Sequence, residues 1–175
     1  MKRARVKEAA LAVLIREGFN AETAPVVIKS GQGEHSEVAG ARWTWKVKTA
    51  DTAGSFCFFE MLIKPGEGVP LHVHSYPEAF YIVEGELVFS SDDGCSISCS
   101  SGDVVIARAE IRHTFTNASQ GDARILSISV AEHQVFFDEV VKADIATPFA
   151  NMDPSEAFAR VVAIGARTDT RFVIE

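Results

Sequence analysis

What this chain lacks narrows its reading first. It has no surplus of positive charge: 17 Lys and Arg stand against 24 Asp and Glu, a formal net charge of −7. No basic stripe interleaved with aromatics occurs, so nucleic acid and anionic membrane surfaces are poor electrostatic partners. Cysteine is scarce and odd in number, with Cys57, Cys95 and Cys99 alone. A disulfide framework is therefore disfavoured, and a reducing, cytoplasmic setting is expected. No apolar run approaches the ~20 residues that a membrane-spanning helix needs. Strand–helix–strand alternation is also missing, which argues against a doubly wound parallel sheet.

The opening MKRARVKEAALAVLIREG has the basic start of a leader. Its apolar run is short, and Arg16 and Glu17 follow where small cleavage-site residues would stand. Val6, Ala9, Ala10, Val13 and Leu14 recur at helical spacing and Gly18 can end the turn, so an amphipathic N-terminal helix is expected. The chain's 175 residues suit one domain with a real core.

Three regions follow from the pattern. Residues 1–41 read as the helix and an extended arm, with a short strand near Pro25–Lys29. Residues 42–132 are runs of β-branched and aromatic residues, such as RWTWKV, SFCFFEMLI, AFYIVEG and RILSISVA. Turn signals such as DTAGS, KPGEG, SDDG and SSGD divide them, which predicts an all-β sandwich or barrel. Residues 133–175 return to helix. Asp153 is placed to cap, Pro154 suits the first helical position and Glu156 completes a capping box. This last helix is expected to cover the sheet and to carry no chemistry.

The chemistry concentrates in GEGVPLHVHSYPEAFYIVEG. His72 and His74 are two apart, so on a strand they point to one side. Pro70 and Pro77 fit strand ends and turns, which makes Glu78 the first inward residue of a returning strand, followed inward by Phe80 and Ile82. Downstream, His113 opens another strand with Phe115 on the same face. Three imidazoles and one carboxylate then converge. That set suits a first-row divalent ion (Fe, Mn, Ni, Co, Cu or Zn) and leaves positions open for water or substrate.

The first stretch resembles the first motif of the cupin family: Gly, five residues, His-x-His, three residues, Glu, six residues, Gly. Gly66, His72, His74, Glu78 and Gly85 match it in full. Gly102, His113 and Asn117 resemble the second motif, with Arg108 standing where proline is usual and Glu110 where glycine is usual. The resemblance spans roughly residues 42–132. It implies a double-stranded β-helix, the cupin jelly-roll barrel, holding a metal at its centre with a small-molecule substrate above it, and a homodimer. PLHVHSYPEAFYIVEGELVF and the later FFDEV are most similar to small single-domain cupins related to quercetin 2,3-dioxygenase.

That likeness implies a dioxygenase-like enzyme for a substrate with enol, diketone or hydroxyl–carbonyl oxygens. The alternatives are a non-catalytic or regulatory binding cupin, and a metal-dependent isomerase or hydrolase. His72, His74, Glu78 and His113 would hold the ion. Glu78 would also accept a substrate proton, which calls for an upward pKa shift in a pocket lined by Phe80, Ile82, Ile106 and Phe115. Arg108 and Arg112 are placed near the mouth, to orient an anionic substrate or to form surface ion pairs. His35 and His133 fall outside the motifs and read as surface or packing residues.

Overall fold

A computed structural model describes residues 25–174. The expected N-terminal helix therefore lies outside the described residues. By contacts the chain divides into residues 1–32 and 33–175. In the first unit, residues 25–29 are exposed and form no strand, contrary to expectation. Val26, Val27 and Ile28 satisfy the local β preference, but β propensity without a paired neighbour does not make a strand.

The second unit runs β1 (Glu34–Val38), β2 (Ala41–Val47), β3 (Cys57–Ile63), β4 (Gly68–His74), β5 (Glu78–Glu84), β6 (Glu86–Ser90), β7 (Ser96–Ser100), β8 (Val104–Ala107), β9 (His113–Thr116) and β10 (Ala123–Ser129). Helices α1 (Ala131–Ala146) and α2 (Pro154–Gly165) and a last strand, β11 (Thr170–Phe172), follow. Six strands form one sheet in the order β1-β2-β3-β10-β5-β8, and five form the other, β11-β4-β9-β6-β7. Neither sheet closes on itself, so the expected barrel is two open sheets around a shared core. β1 falls inside the stretch read as an arm, and β11 inside the stretch read as helical.

Period-two burial builds that core. β3 buries Cys57, Phe59, Met61 and Ile63, β5 buries Glu78, Phe80 and Ile82, and β10 buries Ala123, Ile125, Ser127 and Ser129. The alternation explains how a carboxylate and two hydroxyls come to lie inside: they occupy inward positions of otherwise apolar strands. All three cysteines are free thiols, Cys57 and Cys99 buried and Cys95 exposed.

Two local devices set the strands' register. Gly85, between β5 and β6, has φ +80°, and an added Cβ would lie 2.7 Å from the Asp122 carbonyl oxygen. Only glycine tolerates both conditions. Asn117, fully buried after β9, donates to the carbonyls of Ile63 (2.9 Å) and Gly121 (2.8 Å). It also accepts from the Ser119 amide and hydroxyl, so every polar atom of its amide is bonded and the end of β9 is tied to β3.

The C-terminal helices cap this core. α1 buries His133, Phe136 and Val140 at spacings of three and four, and Phe137 packs on Trp43 (4.9 Å) and Phe59 (4.8 Å). Asp153 caps α2 by accepting from the Ser155 amide, with Pro154 in its first turn. Glu156 pairs instead with Arg160 at 3.0 Å, one helical turn on. Among the described residues no helix is long and apolar enough to cross a membrane.

Candidate metal centre

The two ends of β4 and β5 and the start of β9 meet at one point. His72 and His74 leave β4 on its buried side, Glu78 opens β5, and His113 opens β9 directly opposite His72. One ligand atom from each of these four residues lies within 4.8 Å of every other. All four side chains are buried, and His74 is wholly inaccessible.

The imidazoles are oriented from behind. His72 Nδ1 donates to the Pro70 carbonyl (2.9 Å), His74 Nδ1 to that of Tyr76 (2.6 Å) and His113 Nδ1 to that of Ile111 (2.9 Å). A carbonyl oxygen can only accept, so each Nδ1 carries a proton and each ring turns its Nε2 inward. The phenol ring of Tyr76 also stacks on His74 at 4.2 Å and 3°. Its hydroxyl is joined to Thr170 Oγ1 on β11 at 3.0 Å.

Glu78 faces this cluster with one oxygen. Oε2 lies 3.3 Å from His74 Nε2 and 3.8 Å from His113 Nε2. The other oxygen, Oε1, accepts from the Ser127 hydroxyl. Burial opposes the charge on Glu78, but His133, His113, His74 and Ser127 outweigh it and hold the carboxyl well below the usual carboxylate range. The expected upward shift is thus reversed, because the polar groups converging on the carboxylate count for more than its phenylalanine surroundings. Burial, reinforced by the charge of His113, pushes the His72 imidazole down to about 4.

These residues fit a metal ion. Three imidazole nitrogens and a carboxylate oxygen converge on one point, the arrangement that a divalent cation takes as ligands. Among the described residues His113 Nε2 is buried with no hydrogen-bond partner at all. Three nitrogens and one hard oxygen are a borderline donor set, suited to first-row divalent ions.

Beside the centre is a small cavity of about 50 Å³, open on one side. His72 and Glu78 form its floor, with Phe80, Phe115, Phe136, Phe137 and Phe172 prominent in its walls. Phe80 and Phe115 are thus where the sequence places them. Ile82 is fully buried but belongs to the core behind the cavity. Ile106 is 65% exposed and Arg108 is exposed, so neither lines it. Both follow from strand parity: Ala107 takes the inward position of β8 and its neighbours point out. Arg112 pairs with Asp92 on the surface at 3.2 Å. Glu110, in glycine's usual place, adopts φ +62°, so the loop keeps its path despite the side chain. Its amide donates to the His74 carbonyl at 2.8 Å.

Residues 59–129 match the model of the cupin domain family. Over that stretch the chain is similar to cupin domains. Solved structures agree on the fold. A polyketide cyclase from Streptomyces resistomycificus superposes with a TM-score of 0.55 at 18% identity, covering 62% of this chain and 80% of that one. A predicted oxalate decarboxylase from Thermotoga maritima gives 0.54 at 24% identity, covering 60% and 98%. A cupin 2 conserved barrel domain protein from Salinispora arenicola gives 0.54 at 18%, covering 62% and 90%. No curated protein matches the chain significantly in sequence. The four converging residues are those of the two motifs.

Sequence reasoning missed one further buried histidine. His133, in the first turn of α1, is buried with Nδ1 3.7 Å from Glu78 Oε1. No spacing signal marks it, because a helix folding back over two sheets brings it there. His35 is an exposed residue on β1, bonded to Thr44 Oγ1 at 2.8 Å.

Proposed function

We propose that this cupin is a metal-dependent enzyme for a small, uncharged aromatic or enol substrate, and that its reaction is an oxygenation of the quercetinase-like kind. The observation that carries the reading is the opening of a three-histidine, one-carboxylate centre onto a cavity walled by phenylalanines. A bound divalent ion would supply Lewis-acid polarisation and a common centre for substrate oxygens and dioxygen.

The chain's own residues account for the rest. His72, His74 and His113 hold the ion through Nε2, and Glu78 supplies compensating charge through Oε2. The phenylalanine walls stack a flat ring and keep water from its reacting edge. Among the described residues no Lys or Arg lines the cavity, which favours a neutral aromatic substrate over a small dianion such as oxalate. Glu78, held ionised, is available to accept a hydroxyl proton, although its lowered pKa makes it a weak base.

The test is to load the protein separately with Fe, Mn, Co and Ni and to follow oxygen uptake with flavonols and β-diketones. Uptake matched to substrate loss supports the oxygenase reading. Substrate loss without uptake turns it to metal-assisted isomerisation or cyclisation, and no loss with any pairing leaves a binding module.

A further inference from the structure

His133 belongs to no motif and lies beyond the residues that match the cupin domain, yet it reaches the metal centre. Its ring is walled by Phe137 (5.0 Å), Tyr76 (5.6 Å) and Phe59 (5.8 Å). Its Nδ1 is buried without a hydrogen-bond partner and lies 3.7 Å from Glu78 Oε1. Packing alone does not explain this. A phenylalanine has much the same outline, would suit that aromatic cage and would leave no polar atom unpaired.

The carboxylate supplies the explanation. Glu78 Oε2 is turned toward the imidazoles of His74 and His113, and Oε1 accepts from Ser127. A carboxylate oxygen has room for two donors and the Ser127 hydroxyl has one hydrogen to give, so one position on Oε1 is free. His133 Nδ1 is the nitrogen facing it. A small rotation of the ring would close 3.7 Å to an ordinary hydrogen bond, with the neutral imidazole carrying its proton on Nδ1.

We propose that His133 is a positioning residue for the metal centre: together with Ser127 it grips the outer oxygen of Glu78, so that the carboxylate presents only Oε2 to the ion. α1, outside the cupin domain match, thereby becomes part of the site. Without that grip Glu78 is free to rotate or to chelate through both oxygens, and the preorganised donor set is lost. The inference rests on the metal-binding reading above.

Co(II) alone is the probe, titrated into the full chain against a competing chelator, with its visible d–d bands recorded. His133→Phe is expected to weaken Co(II) binding about 10- to 100-fold and to alter the bands. Its metal-free melting temperature should stay at or above that of the wild type. His133→Gln, whose side-chain amide can donate to the same oxygen, should recover part of the affinity. Unchanged affinity and bands in His133→Phe overturn the proposal. So does an equal loss in both variants accompanied by lower metal-free melting temperatures, which is the mark of a packing role. If the wild type binds no Co(II), the metal reading fails and the inference falls with it. If the wild type and His133→Phe bind equally, only the inference fails.

Discussion

His72 and His113 sit directly opposite each other across the β4–β9 pair, their ring centroids 4.3 Å apart. Each donates from Nδ1 to the carbonyl two residues before it in the chain, Pro70 on β4 and Ile111 just ahead of β9. The candidate metal centre is therefore built on a cross-strand pair whose side chains are aimed by the backbone that carries them. His74 and Glu78 complete it from the next turn of chain.

That pairing predicts the effect of removing either partner. His72→Ala and His113→Ala should each lose most of the bound metal by elemental analysis of protein purified and reloaded under identical conditions. Near-stoichiometric metal in both variants would move the site elsewhere.

The pH response of the metal-free protein follows from His72. Its imidazole has a folded pKa of about 4 against 6.5 in the open chain. Between those values the unfolded state binds more protons, so stability rises with pH across that window and falls as pH drops from 6.5 toward 4. The contribution of His72 is about 3 kcal/mol across the window. Glu78, with its pKa lowered in the folded state, adds a further loss below the ordinary carboxylate range. Melting temperatures of metal-free protein should be level near pH 8 and decline below pH 6.5, and a flat profile down to pH 4.5 contradicts the burial of a neutral His72.

Two glycines of the first motif should behave differently. Gly66 and Gly85 both have φ +80°, but nothing lies within 4 Å of a Cβ added at Gly66. Gly66→Ala should cost about 1 kcal/mol of backbone strain. Gly85→Ala adds collisions with the Asp122 carbonyl and Ala123 Cα at 2.7 and 2.8 Å, and should cost more than about 3 kcal/mol. Denaturant unfolding of the two variants side by side decides the order.

Outward residues of β8 and the loop after it should be silent. Arg108→Ala and Ile106→Ser should each change metal affinity by less than about twofold, as surface substitutions do. A larger loss of affinity in either would mean that the cavity extends to that face. Phe115→Ala, by contrast, removes part of the wall and should lower melting temperature by several degrees, about 3–5 kcal/mol of lost packing.

Much of the site was legible because its geometry is local. His-x-His needs only the two-residue period of a strand to face one way, and Glu78 only a tight turn at Ser75–Pro77 to face back. The same period-two reading put Phe80 and Phe115 on inward faces, and both are buried beside the cavity. It could not decide the parity of β8, where Ile106 and the inward Ala107 are both apolar enough for either face. The reading took Ile106 as inward, and pairing with β5 put it outside.

The sequence by itself determined a mostly β chain, the His72, His74 and Glu78 cluster and the helix cap at Asp153, each written in residues a few positions apart. Tertiary structure alone decided that the sheets stay open, that β11 returns to pair with β4, and that His133 and Ser127 reach Glu78. Those contacts join residues 49 or more positions apart, and no local period encodes them. The direction of the Glu78 pKa shift belongs to the same class. A carboxylate's ionisation depends on every charge and donor around it, and those arrive from four separate elements that only the folded chain brings together.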